Sequence, residues 1–488
     1  MVTRRTFIGG LSGAALLAAT RAYSQASDLT ELTVADASTL IRARTVSPVE
    51  LVRAYLARID RLEPRVNAYI TVTSELALKQ AQQLEAELDA GRWRGPLHGI
   101  PIALKDNMDT AGIRTTAASA VLADRVPMED AEVYRRLTEA GAVLLGKLNL
   151  HEFAYGGTSA ITHFEPVHNP WNLEHIPGGS SGGSGAAVAA HMCCAALGTD
   201  TLASIRLPSA YCGIVGLKAT HGLASIRGII PLCETLDHVG PMTRTVGDAA
   251  LVLQAIAGYD ALDPMSISAE LPAYAGALQQ STANLRLGMP QSPYYDRLDA
   301  DIESAVDVAL EVLRKLTAGT REITLPPHPN FPVLLAESTG YHKQFLTDPA
   351  RRSQYDPVTL ARIDAAAEFS TADYVNTYRE LLISRKTIAK LFEEVDLLVT
   401  PTTPGLPEPI RHAINPAEAS GGEPALRNTF AFNIYGIPTI SVPCGFSRYG
   451  LPIGIQISGP RLGEMPVLAL AHAYEQATEW HERQPRLA

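Results

Sequence analysis

The pattern of hydrophobic and polar positions changes period several times along the chain. From Leu29 to Leu88 it is mostly helical. Ser47-Pro48-Val49-Glu50 is a capping box with proline at the first helical position. Val52, Tyr55, Leu56 and Ile59 then fall on one face. In GPLHGIPIALKDNMDTAG (95–112), glycine and proline bracket a short apolar strand, Ile100–Leu104, that runs into Lys105. AEVYRRLTEAGAVLLGKLNL (131–150) reads as helix, glycine turn and strand. A loop, PGGSSGGSG (177–185), opens onto an alanine-rich helix, and a buried strand follows that ends near Thr199. GPMTRTVGDAALVLQAIAG (240–258) reads as a further helix, and 260–390 as less patterned and mostly helical. EEVDLLVTPTTP (393–404) reads as a strand ending in a proline turn, 439–460 as a hairpin and 468–480 as a closing helix. Strands and helices alternating with no clear linker predict one large α/β domain over 27–488.

The first 26 residues stand apart. A basic pair, Arg4-Arg5, precedes a glycine-interrupted apolar run from Phe7 to Ala19 and a small-x-small site, Ser24-Gln25-Ala26. This is the pattern of a twin-arginine-like export signal, and the run is too short to span a bilayer comfortably. It predicts a cleaved leader, a periplasmic or secreted protein, and no stable membrane anchor after export. The remainder has ordinary globular composition and an acidic balance, the whole chain carrying −10. No Lys/Arg stripe with interleaved aromatics is present, which argues against nucleic acid as a partner. The five cysteines show no CxxC pairing, and His151-Glu152 lacks the second histidine of a zinc motif. No metal and no organic cofactor are expected.

Candidate chemistry gathers at strand ends and glycine-rich turns. Gly179-Ser180-Ser181-Gly182-Gly183 satisfies G-x-S-x-G, but the residues before it make a poor strand, so the nucleophile-elbow reading fails on context. Neither a phosphate loop nor a dinucleotide fingerprint fits. Lys105 at the end of its strand reads either as a rim residue reaching water or, if buried, as an amine whose pKa falls far enough to serve as a base. The pentapeptide LASIR occurs twice, placing Ser204 and Ser225 in the same local sequence.

GIPIALKDNMDTAG, PGGSSGGSGAAVAA and GTDTLASIRLPSAYCGIVGLKATHG together resemble the signature blocks of the amidase signature family of hydrolases. GKLNLHEFAYG, LDHVGPMTRTV, DLLVTPTTP and GLPIGIQISGP match as flanking blocks, and the likeness runs from about 29 to 482. The resemblance implies a single large mixed β-sheet sandwiched between helices. It implies a Ser–cis-Ser–Lys triad, with Ser204 as nucleophile, Ser180 as the relay in a cis peptide and Lys105 as general base. The oxyanion hole falls on the backbone N–H groups of Thr201, Leu202, Ala203 and Ser204. Ser181, Asp200 and Arg206 are expected to support the loop, and Ser225 is expected to be structural. The family usually carries Gly-Gly where this chain has Leu202-Ala203, which puts acyl-pocket shape and substrate range in question.

The leading expectation is therefore a serine amidohydrolase acting on a small-molecule amide, ester or carbamate through an acyl-enzyme, with a homodimer left open. Two alternatives stand beside it: a non-catalytic amidase-like subunit, and the glutaminase subunit of a tRNA-dependent amidotransferase. The substrate pocket is expected to be lined by the 120s–150s loops and by 260–390, with aromatics such as Tyr341, Phe345 and Tyr374.

Overall fold

The structure, a computed structural model, describes residues 28–329, 332–366, 368–415 and 423–487. The export-like segment lies outside the described residues. Eleven strands form one mixed sheet. They are β1 (Tyr69–Val72), β2 (Pro101–Lys105), β3 (Val143–Leu148), β4 (Ala195–Asp200), β5 (Val215–Lys218) and β6 (His238–Thr243). β7 (Leu287–Pro290), β8 (Thr320–Ile323), β9 (Leu397–Pro401), β10 (Thr439–Phe446) and β11 (Pro452–Ser458) complete it. Their order is β1-β3-β2-β4-β6-β5-β10-β11-β9-β7-β8. β3, β2 and β4 run parallel, as do β9, β7 and β8; the central strands are antiparallel. Every residue of β2, β3 and β4 is buried, as expected of strands covered by helices on both faces.

The helix Pro48–Val66 starts where its capping box predicts: Ser47 Oγ accepts from the Glu50 N–H, and the Glu50 carboxylate accepts from the Ser47 N–H. Val52, Tyr55 and Ile59 turn inward, and Asn67 ends the helix in the left-handed region at φ 51°. The expected strands at 100–104 and 393–404, the hairpin and the closing helix are present. Three differences have physical causes. The stretch read as helical to Leu88 contains β1, a β-branched segment that closes the sheet edge against β3. The segment read as helix from Gly240 is first a strand, β6, with Pro241 set opposite Leu197. The helix begins only at Val246, where Thr245 caps it through the Asp248 N–H. Proline in a central strand is rare enough to mask that assignment. The mostly helical 260–390 region also holds β7 and β8, which extend the sheet beyond β9.

A buried ion pair ties the ends of β2 and β3 together. Lys147 Nζ lies 3.2 Å from Asp106 Oδ1, both side chains being fully buried. Lys147 also donates to the carbonyl of Met108 and to Thr115 Oγ1, each at 2.7 Å. The other oxygen of Asp106 accepts from the N–H and hydroxyl of Thr116. Removing one member of such a pair strands the other charge in the interior. Lys147→Met is expected to lower unfolding stability by about 3–5 kcal/mol, read from the urea midpoint. A change under about 1 kcal/mol would show that the pair is not a clamp.

Candidate active site

Lys105 is the last residue of β2, and β4 beside it ends at Asp200, so the functional groups meet at the carboxyl ends of parallel strands. Ligands collect there in open α/β sheets. The loop before the helix Gly182–Ala189 crosses over these ends. The Gly179–Ser180 peptide is cis. The carbonyl that follows it is held from two sides: the Ser180 C=O accepts from the His151 N–H and from Ser159 Oγ, both at 3.1 Å. A side chain on Gly179 would meet the backbone of Thr158 at 2.8 Å, so only glycine fits this approach.

Lys105 has no exposed surface, which decides between the rim and buried readings. Its Nζ makes 2.7 Å hydrogen bonds to Ser180 Oγ and to Thr199 Oγ1. Burial pushes its pKa down to about 7, with the negative charges of Asp237 and Asp200 acting in the opposite sense. At neutral pH a large share of this amine is uncharged.

Ser204 sits in the turn between β4 and the helix Arg206–Cys212, and its C=O accepts from the Ser181 N–H at 3.3 Å. Ser181 in turn exchanges hydrogen bonds with the backbone of Thr199. The Ser180–Ser181 loop, the turn that carries Ser204 and the end of β4 are thus laced together through Ser181. Asp200 folds the turn: one carboxylate oxygen accepts from the N–H of Ile205 and from Arg206 Nε, and the other from Arg206 Nη2. Arg206, fully buried, continues to the carbonyls of Leu202 and Thr429 and to the side chains of Asn433 and Gln456. Burial alone would raise the Asp200 pKa, but the Arg206 guanidinium holds it below the usual carboxylate range. The N–H groups of Thr201, Leu202, Ala203 and Ser204 are given to no protein acceptor among the described residues. Undonated N–H groups on a turn that carries a serine are donors a developing oxyanion can use.

Leu202 and Ala203 are not among the residues with left-handed φ. The backbone at these two positions therefore does not demand glycine. Ala203 belongs to an apolar cluster with Ile176, Leu207 and Tyr211, while Leu202 packs against a cluster that includes Ala154, Leu232 and Leu334. Leu202, Thr201 and Ser204 line a cavity of about 560 Å³ whose walls include Tyr155, Leu335 and Arg362. Ala154, Tyr155 and Gly156 line this cavity together with Leu334, Leu335, Arg362 and Ala365 of the 260–390 region. The aromatics singled out there do not: Phe345 packs in a cluster with Phe153 and Tyr341, and Tyr341 and Tyr374 border a different cavity. Ser225 is buried away from the turn and donates to Asp260 Oδ2 at 2.8 Å, a structural role.

Two groups escaped the sequence reading. Thr199, one residue before the Asp200 signal, is the second acceptor of Lys105. Asp237, inside the flanking block LDHVG, accepts from Thr201 Oγ1 at 2.5 Å and from the N–H groups of Leu232 and Cys233. It joins the 201–204 turn to a wall of the cavity, and burial raises its pKa to about 7. Among the described residues no group of three or more His, Cys, Asp or Glu could hold a metal ion, and no helix is long and apolar enough to cross a membrane.

A family model described as amidase matches residues 50–468. The chain belongs to the amidase signature family. It is 40% identical over 487 residues to a glutamyl-tRNA(Gln) amidotransferase subunit of Carboxydothermus hydrogenoformans, covering 92% of this chain and 97% of that one. The corresponding subunit of Geotalea daltonii is 39% identical, with 94% and 100% covered. Among solved structures, the peptide amidase of Stenotrophomonas maltophilia superposes with a TM-score of 0.82 at 34% identity, covering 93% of this chain and 98% of that one. A 6-aminohexanoate cyclic dimer hydrolase with bound substrate gives 0.84 at 26%, covering 94% and 100%. The mixed sheet between helices is the fold of this family, and the family supports chemistry at carbon–nitrogen bonds. The curated relatives correspond to the amidotransferase-subunit reading more closely than to a free-standing amidase.

They also correct one expectation. Nucleic acid was set aside as a partner because no basic stripe is present, yet near-full-length relatives are subunits of an enzyme named for a tRNA. A charge pattern reports direct binding by one chain. It is blind to a complex in which another chain carries the contact.

With Lys105 as the base, kcat/KM is expected to rise with pH through a limb centred near 7 and to stay high in alkaline buffer. A carboxylate favours the charged ammonium, so removing the one at position 237 lowers the amine's pKa. Asp237→Asn should move the limb to lower pH, measured by a kcat/KM profile; a limb that stays in place would show that Asp237 acts on the loop alone.

Proposed function

We propose that the chain is a serine amidohydrolase that cleaves a carbon–nitrogen amide bond through an acyl-enzyme on Ser204. The observation that carries this reading is the fully buried Lys105, hydrogen-bonded at 2.7 Å to the hydroxyl of a serine in a cis peptide. An uncharged Lys105 Nζ takes the Ser180 proton while still donating to Thr199. Ser180 takes the proton of Ser204 as its oxygen attacks the carbonyl carbon. The N–H groups of the 201–204 turn receive the oxyanion, each such donor being worth about 3–4 kcal/mol of barrier in enzymes where one has been removed. The same path in reverse protonates the leaving nitrogen, and water then releases the acid.

Two settings are open to this chemistry, and each has a supporting observation. The identity to amidotransferase subunits supports a role in concert with companion chains. The walls of the cavity, with Leu202, Leu232, Leu334 and Phe430 beside Ser204, support a free-standing hydrolase of amides with an apolar acyl group. The twin-arginine-like leader supports export, and with it the second setting. A non-catalytic role would leave the Lys105–Ser180 contact and the undonated N–H groups of the 201–204 turn without a purpose.

The test is direct. Purified chain should be labelled by a fluorophosphonate probe, and Ser204→Ala should not. Turnover of simple primary amides by the chain alone, without ATP or tRNA, supports the free-standing setting. Labelling without such turnover, and glutamine hydrolysis only when companion subunits are supplied, supports the other. Equal labelling of Ser204→Ala would overturn the proposal itself.

A further inference from the structure

Three carbonyls at the turn that carries Ser204 are pinned by buried donors. The Asp200 C=O accepts from Asn433 Nδ2 at 3.0 Å and lies 3.1 Å from His238 Nδ1. The Leu202 C=O accepts from Arg206 Nη2 at 3.2 Å, and the Ala203 C=O from the Leu207 N–H at 2.8 Å. The Asp200–Thr201 peptide is trans, so its C=O and N–H leave opposite edges of one plane. Thr201 lines the Ser204 cavity, whereas His238 and Asn433 are buried and form no part of its wall. The Asp200 carbonyl therefore faces the interior, and the Thr201 N–H faces the other way.

His238, the first residue of β6, is committed to this contact. Its Nδ1 also lies 2.7 Å from the Leu236 C=O, and two carbonyls facing one ring nitrogen require the proton there. Nε2 then carries the lone pair and lies 3.4 Å from Lys218 Nζ, which is a donor. Burial, reinforced by Lys218 and His221, holds the His238 pKa well below the usual imidazole value, so the ring stays neutral. Asn433, on the helix Phe430–Ile434, is oriented as firmly: its Nδ2 also donates to Asp200 Oδ1 at 2.8 Å, and its Oδ1 accepts from Arg206 Nη2.

We infer that His238 is a positioning residue for the hydrolysis: with Asn433 it fixes the Asp200 carbonyl, and so aims the Thr201 N–H at the substrate oxygen on which negative charge develops. This rests on Ser204 being the nucleophile. A donor set in place beforehand needs no reorientation as the charge appears. Without the His238 contact the peptide plane is held by Asn433 alone and can tilt. Alignment of the donor is then lost in the transition state, while the walls that bind the ground state are unchanged.

Two amide side chains separate this role from a merely structural one. Asparagine carries its amide nitrogen on Cγ, where the imidazole carries Nδ1; glutamine carries it one atom further out. The readout is labelling by a fluorophosphonate, resolved into reversible binding (KI) and the covalent step (kinact). In that step the Ser204 oxygen adds to phosphorus, negative charge gathers on the phosphoryl oxygen, and fluoride departs. Removing a whole oxyanion donor costs about 100- to 1,000-fold in enzymes where one has been deleted, and tilting one costs less. His238→Gln and His238→Leu should lower kinact at least about tenfold with KI within about twofold of the wild type. His238→Asn should keep kinact within about threefold. Equal kinact in His238→Gln and the wild type, a loss confined to KI, or an equal fall in His238→Asn and His238→Gln would overturn the inference. Should the Gln and Leu variants fail to fold, Asn433→Ser carries the same expectation at the other support of the carbonyl, and unchanged kinact there would overturn it. Ser204→Ala tests the nucleophile separately: labelling of that variant at the wild-type rate defeats the Ser204 reading itself, whatever the His238 variants do.

Discussion

Everything at the candidate site depends on an amine held out of water with hydroxyl groups as its hydrogen-bond partners. Lys105 has Ser180 and Thr199 within hydrogen-bond reach, and the carboxylates of Asp200 and Asp237 act on it through space. Full burial without a contacting carboxylate disfavours the charged form. Had one carboxylate closed onto Nζ, the amine would remain an ammonium and could not accept a proton. Lys147, forty-two residues on in the sequence and on the neighbouring strand, shows the contrast: it is equally buried but paired with Asp106. The two lysines differ in their partners, a carboxylate for Lys147 and hydroxyls for Lys105, while burial lowers the pKa of both.

The turn that carries Ser204 is built to keep its N–H groups unspent. Asp200 accepts from Ile205, one step beyond them, and Arg206 pins the carbonyl of Leu202 from the outside. Asp237 holds the Thr201 hydroxyl and the 232–233 backbone with a single carboxylate. Asp237 thereby links the Leu232 wall of the cavity to the turn that carries Ser204. Leu202 is compatible with this arrangement because the backbone there avoids the left-handed region. Its side chain adds apolar wall beside Ser204, where glycine would leave space.

Much of this was legible in the chain because it is local. The strand running into Lys105, the glycine loop before an alanine-rich helix, and the Asp200–Arg206 bracket around Ser204 all lie in continuous segments. What could not be read is what only the sheet brings together. Whether Lys105 reaches water depends on the loops and strands packed over the end of β2. Asp237 reaches Thr201 across 36 residues because β4 and β6 are antiparallel neighbours. β6 itself was hidden by Pro241, and β1 by the helical segments flanking it. The aromatics of 341–374 lie outside the lining of the Ser204 cavity, and aromatic content alone does not distinguish a pocket wall from a packed cluster. Partners were misjudged for a related reason: the surface of one chain does not reveal what an assembly touches.

Small side chains connect the site to the core. The helix Gly182–Ala189 is buried along its whole length, and a Cβ on Gly183 would come within 2.3 Å of the Asn149 carbonyl and 2.6 Å of that of Ala68. Gly198, in β4, leaves room for Ser181 and Met242 at 2.9 and 2.8 Å from where its Cβ would stand. A larger residue at either place would push the Ser180–Ser181 loop away from the sheet, and Lys105 cannot follow because β2 is fixed between β3 and β4. The glycines in the loop and at the start of this helix are thus a distance constraint rather than a source of flexibility. They set how near a serine hydroxyl can come to an amine that the sheet has already immobilised.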